Sequence, residues 1–349
     1  MTRLAVACFL LVAGACTQPA QVLGATPDAG AAAPLVAALS PPEAVDAGPL
    51  TAPAQPSDGG QVVRFVALGD TGHGNADQTR VGDAVGALCA EKGCDFVVLL
   101  GDNFYPTGVT STNDPQWLSS FVKPYAKVDA PFYAVLGNHD YGGNGSGNEI
   151  DKAQPQIDYS KLNPKWRMPA AHYRFTVRDV DFFVADTNRS MYSLDDQARA
   201  DFERWLPESK ATWKIVFGHH TYKSNGRHGN AGNYEGLPSL VPVASGRGVK
   251  SFLEEEVCGR ADAYLCGHEH VLEWLKSTCA RPDSTLRTEL LISGGGSSFT
   301  GFAKEARDPY YWHAAAVGFT YVVIDGKTFT GTYFDRDGTV LFSRSFTKP

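Results

Sequence analysis

The chain has 349 residues, of which 43% are hydrophobic and 11% aromatic, so it is long enough for one large globular core or two smaller ones. Its formal net charge at pH 7 is −7. This acidic balance argues against a general nucleic-acid binder, which normally carries a basic patch or stripe, and we expect no nucleic-acid-binding surface.

The first residues are typical of an export signal. Residues 1–15 combine a positive charge at Arg3 with an apolar run and small residues, and the run is too short to span a bilayer. The stretch "AGAC" resembles a bacterial lipobox, which would make Cys16 the lipidated first mature residue, although Ala13 stands where that pattern prefers Leu. Cleavage after "AGA" and ordinary secretion are the alternative. We favour the lipoprotein, exported and touching a membrane only through Cys16, over a free periplasmic or secreted protein.

The next stretch is predicted to be a disordered tether. Residues 16–60 are dominated by Ala, Pro and Gly and contain no aromatic residue. Such a segment cannot bury enough apolar surface to offset the entropy lost on ordering. We therefore expect a single folded domain over residues 61–349.

Within that domain, apolar runs alternate with helical patterns. Strands are predicted at 62–70, 95–102, 131–140, 213–220, 262–270, 288–296, 318–326, 329–335 and 339–346, and a pair of strands at 172–187. Helices are predicted at 77–93, 114–127, 196–209 and 248–258. The βαβα order at the start and the strand-rich end predict an α/β (α+β) fold, in which sheets carry helices on their outer faces.

Polar side chains follow many of these strands, usually after a glycine that lets the backbone turn sharply. They are Asp70, Asp102, Tyr105, Asn138, His139, His219, His268 and His270. In α/β sheets, ligands bind beyond the carboxyl ends of the strands. A lone histidine at a strand end is more often a structural hydrogen-bonder, but so many glycine-introduced sites in one chain indicate a metal centre.

Five cysteines follow the tether, and their spacing fits no zinc pattern of the CxxC type. Disulfides are the expected use in an oxidising compartment. We predict that Cys89 pairs with Cys94 and Cys258 with Cys279, which leaves Cys266 as a buried free thiol. Other pairings stay open.

Five motifs together resemble the signature of the calcineurin-like metallophosphoesterases. They are "GDTG" at 69, "GDNFY" at 101, "GNHD" at 137, "VFGHH" at 216 and "GHEH" at 267. Tyr105 narrows the resemblance to the purple acid phosphatases, and "GDNFYPTGVTSTND" and "QIDYSKLNPKWRMP" are similar to the small tartrate-resistant type. The resemblance implies two facing β-sheets flanked by helices, a four-layer αββα sandwich, with residues 61–349 as the catalytic domain.

The resemblance also implies a dinuclear metal site in which Asp102 bridges both ions. Asp70, Asp102, Tyr105 and His270 would bind Fe(III). Asp102, Asn138, His219 and His268 would bind a divalent ion, either Fe, Zn or Mn. The residue types suit this division, because two carboxylates and a phenolate match a hard ferric ion, whereas imidazoles and an amide suit a divalent one.

The activity implied is that of an acid phosphatase, which hydrolyses phosphate monoesters with a metal-bound hydroxide. His139 is predicted to bind phosphate and protonate the leaving group, and His228, in a polar Gly-rich loop, to contact the phosphate. Arg227 is a further candidate phosphate contact. We expect small phosphorylated substrates and a monomer. Two alternatives stay open, a related enzyme acting on nucleotides or phosphodiesters and a non-catalytic surface lipoprotein.

Overall fold

The computed structural model describes residues 61–304 and 306–348, together with the backbone of residues 45–49. The predicted leader 1–15, Cys16 and most of the predicted tether lie outside the described residues. Residues 45–49, which fall within the range predicted as tether, form a strand. Both the leader and the domain boundaries therefore stay predictions. In the described residues, no helix is both long and apolar enough to cross a membrane.

Sixteen strands and five α-helices make up the described fold. The strands are β1 Val45–Pro49, β2 Val63–Leu68, β3 Phe96–Leu100, β4 Phe132–Val135, β5 Trp166–Arg167, β6 Tyr173–Val177, β7 Val180–Val184, β8 Trp213–Phe217, β9 Ala263–Cys266, β10 Leu272–Leu275, β11 Cys279–Ala280, β12 Arg287–Ser293, β13 Tyr310–Ala314, β14 Gly318–Asp325, β15 Thr328–Asp335 and β16 Val340–Thr347. The helices are α1 Ala76–Lys92, α2 Gln154–Tyr159, α3 Thr187–Met191, α4 Asp196–Glu208 and α5 Arg247–Phe252. Short π-helical segments occur at Trp117–Val122 and Leu253–Val257.

One sheet has seven strands in the order β16-β15-β14-β2-β3-β4-β5. In one half of this sheet, neighbouring strands are parallel; these are β2, β3, β4 and β5. The other half is an antiparallel meander of β14, β15 and β16, in which β14 is also antiparallel to β2. Parallel strands need crossover connections, and α1 supplies the one between β2 and β3. Because β14 pairs with β2, the end of the chain completes the sheet begun by its first part.

The other sheet has nine strands, with the main order β1-β6-β7-β8-β9-β12-β10-β13 and β11 paired to β12. Strands β7, β8, β9 and β12 are parallel. The carboxyl ends of β8 and β9 therefore meet at one edge, as those of β2, β3 and β4 do in the first sheet.

Alternate residues of the nine-stranded sheet face two separate cores, as the pleat requires. Phe182 and Phe217 face the first sheet, where both rings lie within 5.7 Å of the Phe65 ring. Phe183 and Val216 face outward into a cluster formed with the helices, which includes Phe202 of α4. On the other side, Val81 and Val85 of α1 belong to the same core as the first sheet. The fold is therefore a four-layer αββα sandwich, as the family resemblance implied.

Within residues 61–304 and 306–348, two disulfides close short loops, Cys89–Cys94 and Cys258–Cys279, and Cys266 is a buried free thiol. The predicted pairing is confirmed. Cys89 lies near the end of α1, whose last turn the disulfide joins to the start of β3.

Removing the Cys258–Cys279 disulfide is expected to lower the unfolding free energy by about 3 kcal/mol, because the bond restricts an unfolded loop with a sequence separation of 21. The Cys89–Cys94 bond, with a separation of 5, should contribute about 2 kcal/mol. Urea unfolding of the two Cys→Ala double variants measures both losses. A greater loss from the shorter loop would contradict this chain-entropy argument.

Candidate metal centre

The predicted ligands meet where the carboxyl ends of parallel strands from both sheets come together. Each follows its strand by only a few residues. Asp70 follows β2, Asp102 and Tyr105 follow β3, Asn138 and His139 follow β4, His219 follows β8, and His268 and His270 follow β9. The site therefore lies at one edge of the sandwich, between the two sheets.

Three of these residues adopt a left-handed backbone conformation. The φ angles are 59° at Asp70, 52° at Asp102 and 69° at His268. Only seven described residues other than glycine have a positive φ, so this concentration at one site is informative. Such conformations cost about 1–3 kcal/mol each and persist where the surrounding structure determines them. The sharp turns aim side chains back across the ends of the strands.

Two glycines allow the turns to approach one another. A Cβ atom at Gly101 would lie 2.5 Å from Nδ1 of His219, and one at Gly137 would lie 2.3 Å from the Asp102 carboxylate. No larger residue fits at either position without displacing a predicted ligand. These two glycines therefore serve close packing as well as turning.

Three predicted ligands gather around the hydroxyl of a fourth, Tyr105. This oxygen lies 3.0 Å from Oδ2 of Asp102, 3.2 Å from Oδ1 of Asp70 and 3.0 Å from Nε2 of His270. Oδ1 of Asp70 is also 3.3 Å from Nε2 of His270. These are the four residues assigned to the ferric ion in the sequence analysis.

A second group of ligands adjoins the first through Asp102. Oδ1 of Asn138 lies 3.0 Å from Nε2 of His219 and 3.1 Å from Nδ1 of His268. Oδ2 of Asp102 lies 3.5 Å from the same His219 nitrogen. Since Asp102 contacts Tyr105 on one side and His219 on the other, it stands between the two groups, where the sequence predicted a bridging ligand.

Hydrogen bonds to backbone groups and to Ser298 hold the side chains of the cluster in orientation. Nδ1 of His219 donates to the backbone carbonyl of Leu100 at 2.8 Å, so Nε2 is the nitrogen left for a metal. In His270, Nδ1 lies 2.9 Å from Oγ of Ser298, which again leaves Nε2. The backbone N–H of His268 donates to Oδ2 of Asp70 at 2.9 Å, so Oδ1 of that carboxylate is left for the site.

The charges and donors of the cluster fit a pair of cations. Burial would lower the pKa of His219, but the adjacent Asp102 carboxylate raises it to about 9. A proton there compensates the carboxylate, a task that a metal ion also performs. Nε2 of His219 and Nδ1 of His268 lie only 3.3 Å apart, so two ring nitrogens converge on one point. Burial and the neighbouring imidazoles lower the pKa of His268 well below its usual range, which leaves the neutral form that binds metals.

Tyr105 is held between two imidazole rings. The His73 ring is stacked on it at a centroid distance of 4.0 Å, and the His139 ring lies 4.4 Å away on a tilted plane. Burial and the carboxylates of Asp102 and Asp70 hold the pKa of Tyr105 well above its usual value. A phenolate therefore requires a cation at this position.

The predicted catalytic histidines line a cleft of about 380 Å³ that opens onto the ligands. Nδ1 of His139 lies 2.7 Å from the carbonyl oxygen of Pro106 and so donates to it, which leaves Nε2 for a substrate. The His228 ring lies 4.5 Å from the His268 ring. Met191, Tyr192 and Val243 form part of the cleft wall. A larger cavity, of about 670 Å³, lies at the opposite ends of β3 and β4 and contains none of the predicted ligands.

Arg227 takes a different direction from its neighbour His228. Its side chain is exposed and runs beside Gly301, and it is not among the residues that line the cleft. Its proposed contact with phosphate stays a prediction.

Several buried carboxylates that support the site were missed in the sequence analysis. Asp140 accepts N–H bonds from Gly137 at 2.9 Å, Asn103 at 3.0 Å and Phe104 at 3.2 Å. It thereby joins the turn that carries Asp102 to the turn that carries Asn138. Its place in "GNHD" is a usable signal, because a buried carboxylate beside a predicted ligand and a predicted catalytic histidine needs nearby donors.

The loop that carries His228 is held by two further buried carboxylates. Oε1 of Glu269 accepts the N–H of Gly229 at 2.7 Å, and Oε2 of Glu273 accepts the N–H of Asn225 at 3.1 Å. These bonds link positions more than 39 residues apart in sequence. Only the place of Glu269 within "GHEH" could have indicated a role from sequence.

The calcineurin-like phosphoesterase family model matches residues 63–272 of the chain. Purple acid phosphatase 3 of Arabidopsis thaliana is 31% identical over 302 residues, which cover 80% of this chain and 73% of that protein. Tartrate-resistant acid phosphatase type 5 of Rattus norvegicus is 28% identical over 322 residues, covering 81% and 90% respectively. The chain therefore belongs to the calcineurin-like phosphoesterases and, among them, to the purple acid phosphatases.

Solved structures show the same fold. GAP50, described as the anchor in the inner membrane complex of Plasmodium, superposes with a TM-score of 0.64 and 21% identity, covering 82% of this chain and 89% of that one. The purple acid phosphatase PPD1 from yellow lupin (Lupinus luteus) seeds gives a TM-score of 0.59 and 19% identity, covering 82% and 54%. The predicted family and fold are both confirmed.

Proposed function

We propose that this protein is an acid phosphatase that hydrolyses phosphate monoesters at a dinuclear metal centre. The observation that carries the proposal is the position of Asp102, whose Oδ2 lies 3.0 Å from the Tyr105 hydroxyl and 3.5 Å from Nε2 of His219. One carboxylate thus faces both a hard oxygen-rich group and an imidazole-rich group, as a pair of unlike metal ions requires.

The donor sets suggest which ion each group would hold. Asp70, Asp102, Tyr105 and His270 would bind Fe(III), since carboxylates and a phenolate are hard ligands. Asp102, Asn138, His219 and His268 would bind a divalent Fe, Zn or Mn ion. When bound, such a metal pair supplies Lewis acidity, positive charge for the phosphoryl group and an acidified attacking water.

The chain's own residues supply orientation and a proton. His139 is held through Nδ1 by the Pro106 carbonyl and through its backbone N–H by Oδ1 of Asp102 at 2.8 Å. Its Nε2 is therefore directed by two contacts and can protonate the leaving oxygen of a substrate in the cleft. Positioned acid catalysis of this kind is worth about 100- to 10,000-fold in rate. His228, on the other wall, would contact the phosphoryl oxygens.

The retention of the site supports catalysis over a purely structural role. All seven predicted ligands lie at one edge, and both predicted catalytic histidines line the same cleft. A fold kept only for binding or anchoring has no need to keep converging ligands, because function depends on the site and not on the fold. The rates on a phosphate monoester and on a diester, compared in one preparation, would separate the proposed activity from that of a phosphodiesterase.

We also propose that the protein is exported and anchored through a lipid on Cys16. The support is the composition of residues 1–15, the "AGAC" stretch and the two disulfides, which favour an oxidising compartment. The lipid would be the only membrane contact, and the domain is proposed to act as a monomer on small phosphorylated substrates.

The absorption spectrum of the whole protein, purified in air, tests the metal assignment. We expect a broad visible band from charge transfer between the Tyr105 phenolate and Fe(III), and its complete loss in Tyr105→Phe. Tyr192→Phe is the matched control, because it removes a hydroxyl at the cleft rim that bonds to the Ser146 carbonyl and belongs to no predicted ligand set. A colourless protein that still hydrolyses phosphate esters would overturn the ferric assignment and leave the broader phosphoesterase activity.

A further inference from the structure

The loop after His228 turns back and places a carboxylate against that histidine. Oε1 of Glu235 contacts Nδ1 of His228, and the backbone N–H of Glu235 donates to the His228 carbonyl at 2.9 Å. Both residues line the cleft that opens onto the predicted metal ligands. From these contacts we propose that Glu235 is a positioning residue, which orients the His228 ring toward the phosphoryl group. The proposal rests on the proposed phosphatase function.

The backbone of Glu235 is held in an unfavourable conformation for a residue with a side chain. Its φ is 55° and its ψ is 18°, in the left-handed region. The neighbouring Tyr234 is almost fully buried, bonds through its hydroxyl to the Thr221 carbonyl, and donates its N–H to the Ser245 carbonyl at 3.1 Å. These contacts determine the turn, and strain of this kind concentrates at functional sites.

The pairing is not explained by stability. The side chains of His228 and Glu235 are 40% and 56% exposed, and an ion pair so open to water contributes little to folding. Its effect is on geometry. With Nδ1 bonded to Glu235, Nε2 is the ring nitrogen left for a group in the cleft. Since the His228 ring also lies against the His268 ring, two contacts restrict its rotation.

Steady-state kinetics on phenyl phosphate test the proposal. The variants are Glu235→Ala, Glu235→Gln, His228→Ala and the double variant Glu235→Ala/His228→Ala. Loss of a residue that orients a functional group costs about 10- to 100-fold, and we expect that loss of kcat/KM in Glu235→Ala. Glu235→Gln keeps an oxygen acceptor for Nδ1 and should lose less. In the His228→Ala background, Glu235→Ala should change kcat/KM by less than about twofold, because there is no ring left to orient.

The control variant removes a comparable ion pair elsewhere. Glu255 is 62% exposed in its side chain and bonds to Arg199 at 2.9 Å, and Glu255→Ala should behave like the wild type. Equal losses from Glu235→Ala with and without His228 would overturn the proposal, as would no loss. A gain in kcat/KM would show that Glu235 repels the phosphate dianion, and that result also overturns it.

Calorimetric titration of the metal-loaded variants with inorganic phosphate separates this proposal from the proposed function. If the wild type hydrolyses no phosphate ester, the proposed function fails, but the phosphate affinities still decide the role of Glu235. Weaker phosphate binding in Glu235→Ala that disappears in the His228→Ala background supports the proposal. If Glu235→Ala leaves the phosphate affinity unchanged both in the wild type and in the His228→Ala background, the proposal is overturned.

Discussion

Asp102→Asn is expected to lower kcat on a phosphate monoester by at least about 1000-fold and to reduce the metal content of the purified protein. The loss of transition-state stabilisation by a metal pair amounts to several kcal/mol, and each 1.36 kcal/mol is tenfold in rate. The substitution preserves size and shape but removes the negative charge. Asp102 is the one predicted ligand assigned to both ions, so neither predicted ion keeps its full set of ligands in the variant.

The cost should exceed that of losing an ordinary carboxylate, because Asp102 is the one carboxylate that the predicted ligand sets assign to both ions. Burial alone would raise the pKa of Asp102, but the adjacent His219 imidazole lowers it well below the usual range. The carboxylate is thus held ionised. Asp158→Asn is the matched control, since Asp158 forms an exposed pair with Lys161. Elemental analysis and steady-state kinetics give both results, and a fully metallated Asp102→Asn with more than a tenth of the wild-type kcat would contradict the bridging role.

Asp140→Ala is expected to lower the unfolding free energy by about 3 kcal/mol or more, because it leaves buried N–H donors without acceptors. The donors are the backbone amides of Gly137, Asn103 and Phe104, and the side-chain amide of Asn103 at 3.1 Å adds a fourth. Activity should also fall about 10- to 100-fold, since Asp140 holds two ligand-bearing turns together.

Urea unfolding of the metal-loaded protein measures the first effect, and kcat/KM on phenyl phosphate measures the second. Asp140→Asn keeps one acceptor oxygen and should lie between the wild type and Asp140→Ala on both scales. An Asp140→Ala variant that unfolds at the wild-type urea concentration would mean that water replaces the carboxylate without loss. Reduced activity with intact stability would place the role of Asp140 in the chemistry and not in the packing.

The convergence of the predicted ligands could be anticipated because several of them are marked locally in the sequence. Asp70, Asp102 and His219 each follow an apolar run and a glycine, and parallel strands bring their carboxyl ends to a common edge. Local sequence patterns at the strand ends were therefore enough to predict that residues far apart in the chain lie close together. The helix at 77–93 was equally visible, with Asn75 accepting the Gln78 N–H at its start and Gly93 following its end.

Short or late elements were harder to predict. Strand β10 has four residues and directly follows the histidines of "GHEH", so it carries no separate signal. Strand β5 has two residues and exists through its pairing with β4. The helix predicted over 114–127 is confined to a π-helical segment at Trp117–Val122, and Pro124, which has no N–H to donate, follows it closely.

The roles of Glu235 and Glu273 could not be predicted, because they depend on contacts made after folding. Glu235 approaches His228 through a left-handed turn that the sequence "NYEGLP" does not specify. Glu273 bonds to Asn225 from 48 positions away. Tertiary packing determines such partners, and neither the spacing nor the composition of the sequence indicates them.

The placement of β2 between β3 and β14 has a consequence for how the protein is made. Asp70 emerges from the ribosome early, but its partner His268 lies 198 residues later, and β14 follows after that. At about 5–20 residues per second, this gap lasts about 10–40 s. A growing chain therefore lacks the complete set of predicted ligands until His270 has been synthesised, so the proposed metal pair could bind only after that point. The metal supply that the chain meets at that late stage would then decide which of the proposed ions it acquires.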